Sequence, residues 1–322
     1  MKKGILNAWP SVYLSPEGQW ISKVTLESTA LPDSIQVERL GDNLRAYRLV
    51  FHGLELIMAE DTISVLDGLI HSVKIQFRPG QSQVVIDIYL ELPLETSPAG
   101  KHGNTGPGLL GHNSEVSIDQ TPGLPASIVC SVSRKPLQDL FKGARIGIDP
   151  GHGGKDKGHR GPVDLTEKYV ALEIARELCP MLELSHAVPI LTRTDDIYLT
   201  DEQRYRILEP ASPILGVQIH ASGDTDPLAQ KYRIAAKENC TESHNLADIA
   251  AGALLERMGM LVESVEHLSS PVNWQFPIIR IEPLCLTYFA DEANFRAPLF
   301  RKRIAQSIYN GIARFLAKQQ DA

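Results

Sequence analysis

Four residues of this 322-residue chain are of types that can share one reaction: His152, Glu167, His220 and Glu282. Two imidazoles and a carboxylate suit a catalytic zinc ion, which commonly takes three protein ligands and leaves a fourth position for water. A second carboxylate beside such a site would serve as the proton shuttle. His152 follows the apolar run "RIGID", Glu167 opens a helical pattern, and His220 and Glu282 end "ILGVQI" and "PIIRI". Spacing alone is a thin basis, because strand ends carry polar residues in every α/β protein. Taken singly, His152 reads as a turn histidine and His220 as a satisfied histidine at a buried strand end. Glu167 reads as a first-turn carboxylate that complements the helix dipole.

The elements that must position these residues run from about residue 144 to the end. "RIGID", "AVPILT", "ILGVQIH" and "FPIIRIE" are short apolar runs of strand length. Between them lie helical patterns. "EKYVALEIARELC" carries Val170, Ile174 and Leu178 at helical spacing with Ala171 and Ala175 beside them, and Pro180 is expected to end or kink that helix. "TDEQ" is a capping box, Thr200 with Gln203 three residues on, and it opens a helix. "SHNLADIAAGALLERMG" stops near Gly259, and "FRKRIAQSIYNGIARFLA" is a closing amphipathic helix. Alternating strands and helices predict an α/β domain with an open, mostly parallel sheet covered by helices on both faces. Ligands of such folds gather beyond the carboxyl ends of the strands, where all four residues fall.

The first third of the chain has a different period. In "QVVIDIYLEL", Val84, Ile86, Ile88, Leu90 and Leu92 alternate with Val85, Asp87, Tyr89 and Glu91, as in a strand with one buried face. "HSVKIQF" repeats the pattern after a turn at Asp67–Gly68, and "ASIVCSV" is a further strand. Several short strands with turns predict a smaller all-β, sandwich-like domain over residues 1–133. Within it, residues 93–125 contain six glycines and five prolines, a third of the stretch, and read as a long flexible excursion. Residues 134–143 are the connector and 144–322 the second domain.

Bulk properties exclude several classes. With 43% hydrophobic and 22% charged residues, the chain has the mix of a globular protein able to bury a core. A formal net charge of −7 without a block of Lys and Arg gives nucleic acid no basic footprint and an anionic membrane surface no partner. Cys130, Cys179, Cys240 and Cys285 form no C-x-x-C pair, so a cysteine zinc site or redox motif is not expected, and the residues read as buried or free thiols. No apolar run is long enough to span a bilayer. Residues 1–10 do not read as a secretory signal, since Asn7 and Pro10 interrupt any apolar region behind Lys2 and Lys3.

Five segments, "IDPGHGGKDKG", "LTEKYVALEIA", "LTRTDD", "VQIHASG" and "PIIRIEPLCLT", stand in one order with sensible gaps. Together they resemble the zinc-dependent N-acetylmuramoyl-L-alanine amidases of the amidase-3 family, from residue 144 to about 318. "DPGHGG" and "LTEK" are the specific part. The resemblance implies that His152, Glu167 and His220 hold one zinc ion and that Glu282 is the catalytic glutamate. It implies hydrolysis of the amide between N-acetylmuramic acid and L-alanine of the stem peptide, with peptidoglycan as partner and the cell envelope or the secreted fraction as location. The two glycines after His152 would keep side chains away from the metal. Arg193 and Arg204 match arginines of the family and are expected to be structural. His159 stands where the family commonly has a small residue and reads as a solvent-facing loop histidine, with a place in the lining of the cleft as the alternative. Arg280, two before Glu282 and on the same strand face, is a candidate to bind a stem-peptide carboxylate, with a structural pairing as the equal alternative. More softly, "AYRLVFHG" through "VVIDIYLEL" resembles an AMIN domain, which would hold peptidoglycan.

The chain departs from the family after Glu282. The usual pattern there is a residue followed by Gly-Phe, often ending Ser-Asn, and here it is "EPLCLTY". Glu209–Pro210 also replaces the usual Ala-Asn. Two rivals to an active amidase therefore stand: a catalytically impaired, amidase-like protein that binds or regulates the wall, and a zinc hydrolase of the same fold acting on another amide.

Overall fold

The computed structural model describes residues 2–16, 18–41, 45–93 and 114–320. Contacts divide the chain into two compact units, Met1–Leu137 and Gln138–Ala322.

Among the described residues, the first unit has ten strands in two five-stranded sheets. They are β1 (Gly4–Leu14), β2 (Trp20–Ser28), β3 (Ser34–Arg39), β4 (Ala46–His52), β5 (Glu55–Leu56), β6 (Asp61–Ser64), β7 (Ile70–Arg78), β8 (Gln83–Leu90), β9 (Ser114–Asp119) and β10 (Ala126–Ser133). The sheet orders are β5-β1-β2-β10-β9 and β3-β4-β8-β7-β6. Leu26, Ile128 and Val132 from one sheet and Leu49, Phe51, Ile75 and Ile86 from the other are fully buried. β8 lies between β4 and β7, and it is buried on both faces: Val85 and Asp87 are covered as well as Val84, Ile86 and Ile88. The expectation of one wet face there is thus corrected. Asp87 tolerates burial because the Arg48 guanidinium meets it as a fork, at 2.7 and 2.8 Å. Of the Gly/Pro-rich stretch 93–125, residues 94–113 lie outside the described residues. Ser114–Asp119 is strand β9, paired with β10, where Ser114 and Val116 are buried by the period-two alternation. Residues 114–119 are therefore strand where the composition predicts part of the excursion.

The connector holds a short helix, α1 (Lys135–Phe141). The second unit then alternates β11 (Arg145–Pro150), α2 (Glu167–Leu184), β12 (Val188–Leu191), α3 (Asp201–Leu208), β13 (Leu215–Ile219), β14 (Arg233–Ala236), α4 (Thr241–Met258), β15 (Val265–His267), β16 (Ile278–Glu282), α5 (Phe289–Phe295) and α6 (Pro298–Gln320). The sheet order is β12-β11-β13-β16-β14-β15. All neighbours are parallel except β14 against β16. This is the open, mostly parallel α/β sheet expected, with β14, β15 and α5 added.

Side-chain alternation assigns the faces. Ile146 and Ile148 of β11 are buried toward one face, which α2, with Ile174 and Leu178, covers. Gly147 and Asp149 point to the other, where Leu208 of α3 and the cluster of Trp274, Phe276 and Ile278 pack. Pro180 does not end α2, which runs on to Leu184. One lost hydrogen bond and a ring clash, worth about 3 kcal/mol, are outweighed by the buried stripe Ile174, Leu178, Leu182, which continues past it. Thr200 and Gln203 close the expected capping box of α3, and Gly259, at φ 70°, caps α4.

Candidate metal centre

Glu167 is the hub of the site. It is the first residue of α2, 1% exposed, and five groups converge on its two oxygens, among them the Ala221 N–H, which donates to Oε1 at 3.1 Å. His152 Nε2 lies 3.0 Å and His220 Nδ1 2.8 Å from Oε1. His159 Nδ1 and the His159 backbone N–H both reach Oε2 at 2.9 Å. Burial pushes the Glu167 carboxyl upward, but the hydrogen bonds of His152, His159 and His220 and the charge of His220 outweigh it, holding the carboxyl far below the usual range. His159 is therefore not a free loop histidine. It is a half-exposed loop residue, as read from the sequence, and it is also tied to the central carboxylate, which the sequence did not show.

The elements bring the three expected ligands together from three strand ends or helix starts. One ligand atom each from His152, Glu167 and His220 lies within 4.8 Å of the others. The rings of His152 and His220 stand edge to face, with centroids 4.9 Å apart. Two imidazoles and one carboxylate are a donor set for zinc. His152 turns its other nitrogen, Nδ1, to Asp156 Oδ2 at 2.9 Å, the arrangement in which an outer carboxylate fixes the tautomer and direction of a ligating imidazole. The residues present thus fit a zinc ion.

The backbone beneath the site is strained and braced. His152 has φ 58°, a left-handed conformation disfavoured for a side chain with a Cβ. Arginines hold it there. Arg204 donates to the carbonyls of Pro150 (2.8 Å) and His152 (2.7 Å), and Arg193 to those of Pro150 (2.9 Å) and Gly151 (2.7 Å). Arg204 also pairs with buried Asp149 at 2.6 Å, and that pair and the Thr192 hydroxyl hold the Asp149 carboxyl low against the opposing effect of burial. Burial, with the like charge of Arg204, lowers Arg193 to about 10. The glycine reading is corrected here too. A Cβ on Gly153 or Gly154 would strike Ile197 or Tyr198, away from the ligands. It is Gly151 and Gly158 whose missing side chains make room, since a Cβ there would strike the His220 ring, or Glu167 and His152.

Glu282 ends β16 and is partly buried. Burial raises its carboxyl and the charge of Glu167 adds to the rise, while His220 and Arg280 oppose it. The divergent segment that follows is packed inward. Pro283, Leu284, Cys285 and Leu286 are all buried, with Ser222 bonded to both the Leu284 carbonyl and the Leu286 N–H at 2.8 Å. Arg280 sits beside Gln218 in register and lines a cleft of about 400 Å³ together with His152 and His220. Asp149 and Asp156 were missed in the sequence. The only signal was proximity to His152, three residues before and four after, within a glycine-rich loop that has no period.

Residues 146–314, just over half of the chain, match the family described as N-acetylmuramoyl-L-alanine amidase (Amidase_3). The amidase LytC of Bacillus subtilis is 26% identical over 198 residues, 60% of this chain and 39% of LytC. AmiA of Escherichia coli K12 is 33% identical over 130 residues, 37% of this chain and 45% of AmiA. The chain thus spans about half or less of the length of these curated relatives. Among solved structures, the catalytic domain of CwlV from Bacillus (Paenibacillus) polymyxa superposes with a TM-score of 0.51 at 24% identity, covering 54% of this chain and 98% of that domain. AmiC2 of Nostoc punctiforme gives 0.50 at 24%, covering 56% and 98%. These two likenesses concern the fold, and with the family match to the segment that carries His152, Glu167, His220 and Glu282 they establish that the chain belongs to the Amidase_3 family of N-acetylmuramoyl-L-alanine amidases.

Proposed function

We propose that this protein is a zinc-dependent peptidoglycan hydrolase that cleaves the amide between N-acetylmuramic acid and L-alanine of the stem peptide. The observation that carries the reading is the convergence of His152, Glu167 and His220, with ligand atoms within 4.8 Å of one another. When bound there, zinc supplies a Lewis acid for the amide carbonyl and lowers the pKa of water from 15.7 to about 7. The chain's own residues do the rest. Glu282, with a carboxyl raised by burial, takes the proton of the attacking water and returns it to the departing alanine nitrogen. Asp156 keeps the His152 imidazole turned to the site. Arg193 and Arg204 hold the strained loop in place before substrate arrives, so that orientation is settled in advance. The front unit, residues 1–133, is assigned by the same reading to an AMIN-like role: it holds peptidoglycan and keeps the catalytic unit at the cell envelope.

The test is release of dye from labelled peptidoglycan, before and after chelation, with mass spectrometry of the products. Release that stops on chelation, returns with zinc, and yields intact stem peptide separated from glycan is the expected result. Activity that persists after complete zinc removal overturns the zinc reading. Cleavage elsewhere in the stem would assign another amide. Binding to the wall without release by the zinc-loaded chain would make it the impaired, wall-binding relative.

A further inference from the structure

Beside the metal centre the cleft holds two polar atoms without partners. Gln218 is 4% exposed, and its Oε1 is buried with no hydrogen bond; Arg280 Nε is likewise buried with none. Both residues line the same cleft as His152 and His220. They are register partners on adjacent parallel strands, β13 and β16, so their side chains leave the sheet on one face, about 4.8 Å apart at the backbone. The orientation of the amide is fixed. Gln218 Nε2 donates to Asp149 Oδ2 at 2.9 Å, and a flipped amide would set its oxygen against that carboxylate. Asp149 itself is held by Arg204 and Thr192. Two register-paired residues of the cleft lining therefore carry one fixed acceptor and one donor, each costly to leave unmet in a buried place.

We propose that Gln218 and Arg280 form a subsite for an uncharged amide of the substrate, its C=O accepting from Arg280 Nε–H and its N–H donating to Gln218 Oε1. Arg280 alone would favour a carboxylate. The pair does not, because a carboxylate has no donor for Gln218 Oε1 and would meet its lone pairs instead. The rest of the lining argues the same way: Asp156, Asp201 and Glu202 face the cleft, and its other guanidinium, Arg204, is already paired with Asp149. Two parts of a muropeptide offer this chemistry, the N-acetyl group of the sugar and an amide of the stem, including an amidated carboxyl. The inference rests on the amidase reading for the identity of the substrate, but not for the chemistry of the subsite.

The subsite is tested without turnover. N-methylacetamide and acetate are titrated separately into the full-length, zinc-loaded chain while the Arg280 Nε–H resonance is followed. N-methylacetamide is expected to shift it, with acetate at least tenfold weaker. Arg280→Met gives up no hydrogen bond within the protein and is expected to fold. It and Gln218→Met are each expected to weaken amide binding about tenfold, the worth of one hydrogen bond to a buried partner. Acetate binding as well as the amide, or binding unchanged in both variants, overturns the inference. Muramoyl-dipeptides with the terminal carboxyl amidated, with it free, or lacking the N-acetyl group then locate the amide: whichever loss removes the sensitivity to Gln218→Met names the source. If the amide is bound but no muramoyl substrate is cleaved by the wild-type chain, the amidase reading fails alone. If substrate is cleaved while the pair ignores amides, the subsite fails alone.

Discussion

The two sides of the site are built on different terms. On the side of β11, α2 and β13, most polar atoms are committed, with Gln218 Oε1 of the proposed subsite the exception. Glu167 receives His152, His159 and His220 and the backbone N–H groups of His159 and Ala221, Asp156 backs His152, and two arginines pin the loop carbonyls. On the β16 side, Glu282 is governed by burial and by charges at a distance, and Arg280 keeps a buried, unpartnered Nε. A ligand set must be fixed before the ion arrives. A proton shuttle must instead stay free to change its charge, and a substrate subsite must keep its hydrogen bonds open. The contrast teaches that saturation of hydrogen bonds separates scaffold from reacting surface in one cleft.

The largest effects should fall on the saturated side. His152→Ala and His220→Ala are expected to lose zinc, with stoichiometry by elemental analysis falling well below one per chain and dye release reaching background. Unchanged metal content would refute these ligand assignments. Glu282→Gln is the counterpart across the cleft. It should keep the full zinc content and lose about 10³-fold in turnover, the range of a positioned acid–base group. Equal activity in that variant would remove Glu282 from the mechanism.

How far these roles were legible in the sequence follows the same division. The strands and helices were readable because apolar residues recur at periods of two and 3.6, and Thr200 with Gln203 marked a helix start by its own chemistry. The convergence of His152, Glu167 and His220, the proposed ligands, was readable because order and family segments agree. His159 was not, since its partner Glu167 lies across a loop turn and a small residue is usual at that place. Val85 and Asp87 were misread because alternation reports one buried face, while a strand with neighbours on both sides can be covered on two. Gln218 was invisible: its role depends on the strand register that sets it opposite Arg280 and on Asp149, which turns its amide.

Between the two sides lies the Asp149–Arg204 pair, where the scaffold meets the cleft. Arg204→Met leaves Asp149 buried without its counter-charge and releases the Pro150 and His152 carbonyls. Breaking such a pair is expected to cost about 3–5 kcal/mol, read as a lower urea midpoint for unfolding of the catalytic unit. Asp156→Ala should be milder. It frees the Nδ1 end of His152 while leaving every ligand, so zinc affinity is expected to fall about 10- to 100-fold, measured by competition with a chromophoric chelator. A loss as complete as that of His152→Ala would make Asp156 a ligand rather than a support.

The smallest effect concerns pH and probes the open side alone. Glu282 must be charged to accept a proton, so activity is lost as pH falls through its pKa. Burial, with help from Glu167, raises that carboxyl, and the acid limb of kcat/KM is expected above the range of an exposed glutamate, about 4.3. Arg280 opposes the rise through its positive charge. Arg280→Met removes that opposition without touching a ligand, and so should move the acid limb further toward neutral pH, whatever it does to KM. The measurement is kcat/KM against pH for both chains at equal zinc loading. A limb that stays in place or moves toward acid would mean that Glu282 is not the group whose ionisation is being read. In that case the division between a committed ligand side and a responsive β16 side would have to be redrawn around another base.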